Sequence, residues 1–596
     1  MNCPSRPDSF DTEAHPDWNQ NPHHLNSDAT TRADLNGVVN RRAQRNHEDT
    51  SSLDEPPNDL IGPAMRKLEP GNEKAKATGV AMETEVYGAP TTQISSSVLA
   101  RDSTVETLSV SSLDGSDLYH ALPWYRKISH GLLKYIRFVG PGFLIAVAYI
   151  DPGNYATDVQ AGATTQFAHL FIVLTSNLIA IFLQSLCIKL GTVTGLDLAE
   201  NCRKHLPRWL VWCLYALSEG AIIATDIAEV IGTAIALNLL LNIPLVAGCA
   251  ISLVDVFLLL LFYNPDGSMT RLRIFEYLVM FLVLGVVVCF CIELTYIRNV
   301  TIGSVFRGYL PSSAVINGNG IYLSCGILGA TVMPHSIFLG SGLVQPRLRH
   351  FDEQRNGLQV DNNARHRYDQ TQDLDEKYRP SIGAIKSCMK FSIIELGLQL
   401  FTFALFVNSS ILIVAGASLY GSSDAENADL FGIHDLLVRT IAPAAGILFA
   451  LALLLSGTSA GIVCTMAGQM VSEGMLRWKL KPWLRRLVTR SISILPSIVV
   501  AGTVGKSGLN DALTGSQVAL SVALPFVTAP LLWFTCSSAI MTVNSDAQGR
   551  RLDGPVLGAN KVNMRNHWVT SVVAVAVWLL LVVMNVSLIV LAALGR

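Results

Sequence analysis

Four consecutive residues interrupt an otherwise apolar, membrane-length stretch between Phe138 and Ala163: Asp151-Pro152-Gly153-Asn154. A carboxylate at the centre of a spanning helix costs about 2.5–3.5 kcal/mol on insertion scales, so its presence calls for a function. Pro152 removes a backbone donor and clashes with the preceding turn, and Gly153 permits unwinding. Backbone freed at that depth is tolerated only where protein or a polar cavity satisfies it. The stretch therefore predicts an unwound elbow that presents oxygen ligands at mid-membrane.

A second interruption lies between Ile321 and Leu343, where Met333-Pro334-His335 falls at mid-span. Paired, interrupted hydrophobic segments in corresponding positions point to a transporter's binding site. A lone proline here would indicate an ordinary kinked helix. Two breaks flanked by functional groups, five spans apart, indicate a site.

The rest of the chain agrees with a membrane protein. Of 596 residues, 50% are hydrophobic and only 15% charged, which is too apolar for an ordinary soluble protein. Residues 1–122 differ, being polar and poor in aromatics, and they read as a disordered cytosolic tail. With no apolar segment at the N-terminus, no cleavable signal peptide is expected, and the first span serves as the targeting signal. Ten of the eleven cysteines are scattered through the membrane region among apolar residues and read as small hydrophobes.

Windows of about twenty apolar residues give eleven spans. They fall near 138–161, 168–192, 209–238, 244–263, 273–296, 321–343, 387–418, 435–475, 485–504, 512–542 and 567–592. Lys and Arg cluster before the first span (Arg126, Lys127, Lys134, Arg137) and after each even-numbered one, as with Arg203, Lys204 and Arg208. By the positive-inside rule the N-terminus is cytosolic and the C-terminus non-cytosolic. Asn299, in Asn-Val-Thr, then lies in an outer loop as a candidate glycosylation acceptor. The transporter domain, 123–596, divides into inverted repeats at 138–296 and 321–542, with a cytosolic loop at 346–383 and an additional eleventh span at 567–592.

Asp151 and Asn154 offer hard oxygen ligands, Met333 a soft thioether, and Ala330, one turn earlier, a backbone carbonyl. Sulfur beside oxygen biases a site toward later divalent transition metals over calcium or magnesium. On the third span Asp226 and Glu229 share a helix face, preceded by Glu219. Buried carboxylates of this kind form proton relays. Arg490 opens the ninth span as their candidate partner, and His335 titrates near neutrality. The competing readings are packing for Met333 and a structural ion pair for the acids.

Together these residues resemble the Nramp family of proton-coupled divalent metal transporters. The resemblance runs from Gly140 to about Met541. It includes Gly140-Pro141-Gly142, Asp151-Pro152-Gly153-Asn154, Gly191 to Glu200, Ala224 to Glu229, Gly329 to His335, Thr489-Arg490-Ser491 and Ser516-Gln517-Val518. The long tail and basic loop resemble the fungal members. The resemblance implies an all-α, leucine-transporter-like fold with broken helices one and six. It also implies a metal site of Asp151, Asn154, the Ala330 carbonyl and Met333, joined by Gln517 in the occluded state. A proton route through Asp151, Asp226, Glu229 and Arg490, with His335 contributing, is implied as well. Import of manganese or iron is the implied activity. One departure stands out: many members carry a second histidine where this chain has Gly340.

The expected partners are the lipid bilayer, divalent metal ions and protons. No resident cofactor and no nucleic acid is expected, and the tail is a candidate dock for trafficking or ubiquitin-ligase adaptors. The plasma membrane and the endosomal or vacuolar membrane are both compatible locations. Alternatives are a sodium-coupled amino-acid symporter on the same fold and a transport-inactive metal sensor. Gly457-Thr458-Ser459-Ala460-Gly461 also fits the nucleophile-elbow pattern of a hydrolase, but that pattern needs a strand-to-helix turn. No enzymatic activity is expected.

Overall fold

The computed structural model describes residues 141–253, 269–297, 300–356, 378–421, 429–477, 482–544 and 561–594. The tail (1–122), the first residues of the transporter domain, Asn299, the second half of the fourth span and most of the 346–383 loop lie outside the described residues.

The expected first break is present. Helix α1 (Pro141–Val147) ends in tight turns, and α2 (Pro152–Thr165) restarts with Asp151 as its N-cap. Proline suits the first helical position because its missing N–H would be unsatisfied there in any case. The chain continues through α3 (Leu170–Thr194), a short helix α4 (Leu198–His205) and the 34-residue α5 (Arg208–Leu241). Helix α4 carries a full capping box between Asp197 and Glu200. Next come α6 (Leu245–Ile251), α7 (Met269–Tyr296) and α8 (Ile302–Gly308).

The second break repeats the first. Helix α9 (Gly320–Thr331) stops, Met333 takes an extended conformation as N-cap, and α10 (Pro334–Gly342) restarts on Pro334. Helix α11 (Gln345–Asn356) follows, then α12 (Ile382–Gln399) and α13 (Leu405–Ser418), joined by a π-helical turn at Leu400–Ala404.

The overlong eighth span is two helices, not one. Helix α14 (Leu430–Thr440) precedes α15 (Pro443–Leu476). In α14, Leu430, Ile433 and Leu437 are buried on one side, at helical spacing. Asp429 caps its start by accepting from the Gly432 N–H at 2.5 Å. Hydropathy alone ran the two together because no charge cluster separates them.

Helices α16 (Pro482–Thr503), α17 (Gly505–Cys536) and α18 (Trp568–Ala593) complete the bundle. The tenth span ends at Cys536, short of the expected 542. Beyond it β1 (Thr542–Asn544) pairs antiparallel with β2 (Lys561–Asn563), Thr542 opposite Asn563. Helix α18 packs on α17, where the Trp578 indole donates to the Pro525 carbonyl at 2.8 Å.

Among the described residues eight helices are long and apolar enough to cross a membrane. The remaining expected spans are the broken α1–α2 pair, the span beginning with α6, and α16. The mostly helical architecture with two broken spans is the expected leucine-transporter-like one.

Candidate functional site

Pro334 creates the vacant acceptor that the second elbow displays. A helical carbonyl bonds the N–H four residues on, and four residues after Ala330 stands Pro334, which has none. The Ala330 oxygen instead accepts from Asn154 Nδ2 at 3.0 Å, across from the other elbow. The same amide group donates to Asp151 Oδ1 at 2.7 Å, and the Asn154 backbone N–H reaches that oxygen at 3.0 Å. Asp151 Oδ2 has no hydrogen-bond partner. One amide thus bridges a carboxylate on one broken helix and a carbonyl on the other.

Polar side chains from neighbouring helices satisfy the unwound backbone. Asn408 on α13 donates to the Tyr149 carbonyl at 3.0 Å and approaches Asn154 Oδ1 at 3.4 Å. Ser456 on α15 donates to the Ile150 carbonyl. At the second elbow the Met333 carbonyl accepts from Ser336 Oγ at 2.8 Å. This is the condition for irregular backbone at membrane depth.

Met333 is fully buried one turn past Ala330 and packs with Ala221, Leu520 and Ala523. Gln517 on α17 lies against both elbows. A Cβ on Gly153 would come within 2.1 Å of Gln517 Nε2, and one on Gly329 within 2.0 Å of the Gln517 carbonyl. Only glycine allows these approaches. Gln517 Oε1 has no partner. The structure therefore gathers Asp151, Asn154, Ala330 and Gln517 at the junction, with Met333 on its α5–α17 side.

The acids of α5 meet their expected cation. Arg490 Nη1 donates to Asp226 Oδ1 at 2.6 Å and to Glu229 Oε2 at 3.0 Å, all three side chains being buried. Ser493 donates to Asp226 Oδ2 at 3.0 Å. Glu219 is only half-buried. The thiol of Cys464 lies beside the pair, its sulfur and one oxygen from each acid falling within 4.8 Å of one another. His335, beside the second elbow, places its Nδ1 3.4 Å from Oγ1 of Thr225, the residue before Asp226 on α5.

Three features were not read from the sequence. Gln184 on α3 donates to the Tyr149 hydroxyl at 2.9 Å and to the Ser336 carbonyl at 2.9 Å. It occupies the space beside Gly340, where a Cβ would sit 1.9 Å from its Oε1. Arg347 pairs with Glu395 at 2.7 Å, and the other Glu395 oxygen accepts the Gly142 N–H at 3.3 Å, tying α1, α11 and α12 together. Asn408 completes the set. The available signal was the same in each case: a polar residue inside an apolar span.

The nucleophile-elbow pattern is accounted for by packing. Ser459 lies within the continuous helix α15 and donates to the Ser456 carbonyl at 3.0 Å. A Cβ on Gly457 would meet Thr233 Oγ1 at 2.6 Å. This glycine serves a close helix approach.

A family model described as natural resistance-associated macrophage protein-like, Nramp, matches residues 142–551. The manganese transporter SMF1 of Saccharomyces cerevisiae is 52% identical over 491 residues, covering 77% of this chain and 85% of that protein. The iron transporter SMF3 of the same yeast is 50% identical over 417 residues, covering 70% and 85%. The crystal structure of the manganese transporter of Eremococcus coleocola superposes with a TM-score of 0.61 at 32% identity, covering 78% of this chain and 87% of that one. With its two broken helices and their converging ligands, the chain belongs to the Nramp family of membrane transporters.

Proposed function

We propose that this protein imports a divalent transition-metal ion, manganese or iron, into the cytosol together with protons, by alternating access. The observation that carries the reading is the junction of Asp151, Asn154 and the Ala330 carbonyl. The relatives named as manganese and iron transporters support the choice of metal.

The metal would bind between the elbows. Asp151 supplies the charged oxygen and Ala330 a carbonyl at the negative end of α9, where a half-helix favours a cation. Turning the Asn154 amide over replaces its N–H donors by Oδ1, so the group that bridges the two oxygens becomes a third ligand. Met333 adds sulfur and Gln517 closes the site from α17. Protons would leave Asp151 toward Thr225, Asp226 and Arg490, with His335 alongside. The Arg347–Glu395–Gly142 contacts hold the cytosolic ends of α1, α11 and α12 together until the inner side opens. Loop charge supports a cytosolic N-terminus.

The test is uptake by the purified protein in liposomes. Manganese should accumulate faster with an acidic exterior, proton influx should accompany it, and Asp151→Ala should abolish both. Manganese uptake by Asp151→Ala at the wild-type rate would reject the site. Uptake unaffected by an imposed proton gradient would reject the coupling.

A further inference from the structure

One turn beyond Asn154 on α2 stands a carboxylate that the proposed route does not use. Asp158 is fully buried, and neither of its oxygens has a hydrogen-bond partner. Three other buried acids are compensated by a cation: Asp226 and Glu229 share Arg490, and Glu395 has Arg347. A buried carboxylate without partner or counter-charge is among the costliest groups a fold can keep. Such a group needs a cation or a proton at some stage of the working cycle. Glu293 on α7 also has both oxygens unpartnered. It is the Tyr155 side of α2 that faces α7, with the Tyr155 ring 5.7 Å from that of Phe290.

Helical spacing puts Asp158 near the Asn154 face, about 6 Å farther along the axis, and close enough to Asp151 for their charges to interact. The proposed ligands Asp151, Asn154, Ala330 and Met333 carry one negative charge between them, against two positive charges on the ion. In the orientation given by loop charge, α2 leads from the elbow toward the outer face. An arriving ion would meet Asp158 before Asp151.

We propose that Asp158 is a second cation-binding carboxylate of the transport route, an outer station that draws a divalent metal ion toward the elbow and supplies the second negative charge. This rests on the reading of Asp151 and Asn154 as the metal site. Because Asp158 acts through charge, it does not sort metals by softness. Its loss should weaken manganese and cadmium alike, whereas loss of a sulfur ligand would not.

Asp158→Asn keeps shape and polarity and removes only the charge. Manganese and cadmium uptake by this variant, by Asp158→Glu and by Asp151→Ala should be measured in liposomes, normalised to inserted protein. Manganese titration and metal-free thermal unfolding of the purified proteins complete the set. A unit charge within about 10 Å of a divalent ion at low effective dielectric supports an expected rise in KM of about tenfold or more for Asp158→Asn. The same rise is expected for both metals, with weaker manganese binding, partial retention in Asp158→Glu, and a Tm at or above wild type. A KM within about twofold of wild type, while Asp151→Ala is inactive, would overturn the proposal alone. A lowered metal-free Tm would overturn it too, by making the carboxylate structural. Normal uptake by Asp151→Ala would remove the elbow site and this proposal together.

Discussion

Glu395 divides its two oxygens between a charge and a backbone: Arg347 Nη1 lies 2.7 Å from one, and the Gly142 N–H reaches the other at 3.3 Å. Helices α1, α11 and α12 meet at this carboxylate, which is nearly inaccessible to solvent. It holds the start of the first broken helix to α11, the helix that follows the second.

Removing one partner of a buried pair leaves a charge uncompensated, at a cost on the order of 3–5 kcal/mol. Glu395→Ala should therefore loosen the first turn of α1. Hydrogen exchange at residues 142–147 should speed up by about tenfold or more, with less change in α18. Unchanged protection there would show that other contacts hold the helix.

At the α5 cluster one guanidinium serves two acids. Glu229→Gln leaves the 2.6 Å contact between Arg490 and Asp226 available while removing one titratable site. Proton influx per manganese ion should fall, with KM for manganese staying within about threefold, since Glu229 belongs to neither elbow. A large loss of manganese affinity with normal coupling would make it a metal ligand instead.

Met333→Ala separates ligand from packing. Loss of sulfur leaves an oxygen site, so calcium should compete better against manganese uptake and cadmium worse. A pure packing role predicts a cavity cost of about 2–5 kcal/mol and a uniform loss for all metals. Wild-type inhibition ratios would favour packing.

Gly340 and Gln184 should behave as a unit. Gly340→Ala drives a methyl into Gln184 Oε1 and strains its bonds to Tyr149 and Ser336, at an expected cost of about 1–3 kcal/mol. In Gln184→Ala the space is open, so adding Gly340→Ala there should cost less than in the wild type. Thermal unfolding of the four proteins gives the coupling directly.

The clasp between Tyr378 and Asp352 offers a pH test. The hydroxyl donates to Asp352 Oδ2 at 2.5 Å. Burial first, and then that hydrogen bond, hold the Tyr378 pKa above its usual 10.0. A raised folded-state value means the contribution is complete below the unfolded pKa and fades as pH rises through the folded one. Tyr378→Phe should lower Tm by the same amount at about pH 6 and pH 9, with the difference shrinking only in stronger base. A difference that already fades at neutral pH would contradict this.

Much of this was legible because membrane helices announce themselves. Hydropathy located the spans, and Pro152 and Pro334 located the breaks, since each removes a specific backbone donor. Asp226, Glu229 and Arg490 could be matched because intramembrane charge is rare enough to seek its opposite. The sequence did not reveal that α14 and α15 are separate, because apolar character crosses their junction and only Pro443 marks it. Nor did it reveal the Arg347–Glu395 pair or the place of Gln184 beside Gly340. Those depend on which helix faces come together, and helical spacing in one chain cannot specify that. Met333 was marked for its chemistry, and its packing against Leu520 and Ala523 is a tertiary fact.

The fit of Gln517 against Gly153 has a consequence for hydration. In the proposed site the seated Gln517 side chain fills the space beside Gly153, so an ion between the elbows would give up part of its water shell. Selection then includes what each ion spends in shedding water. Magnesium, small and reluctant to dehydrate, is at a disadvantage that its oxygen affinity does not repair. On the proposed reading, the absence of a single methyl group at residue 153 would thereby help set which cations find the site worth entering.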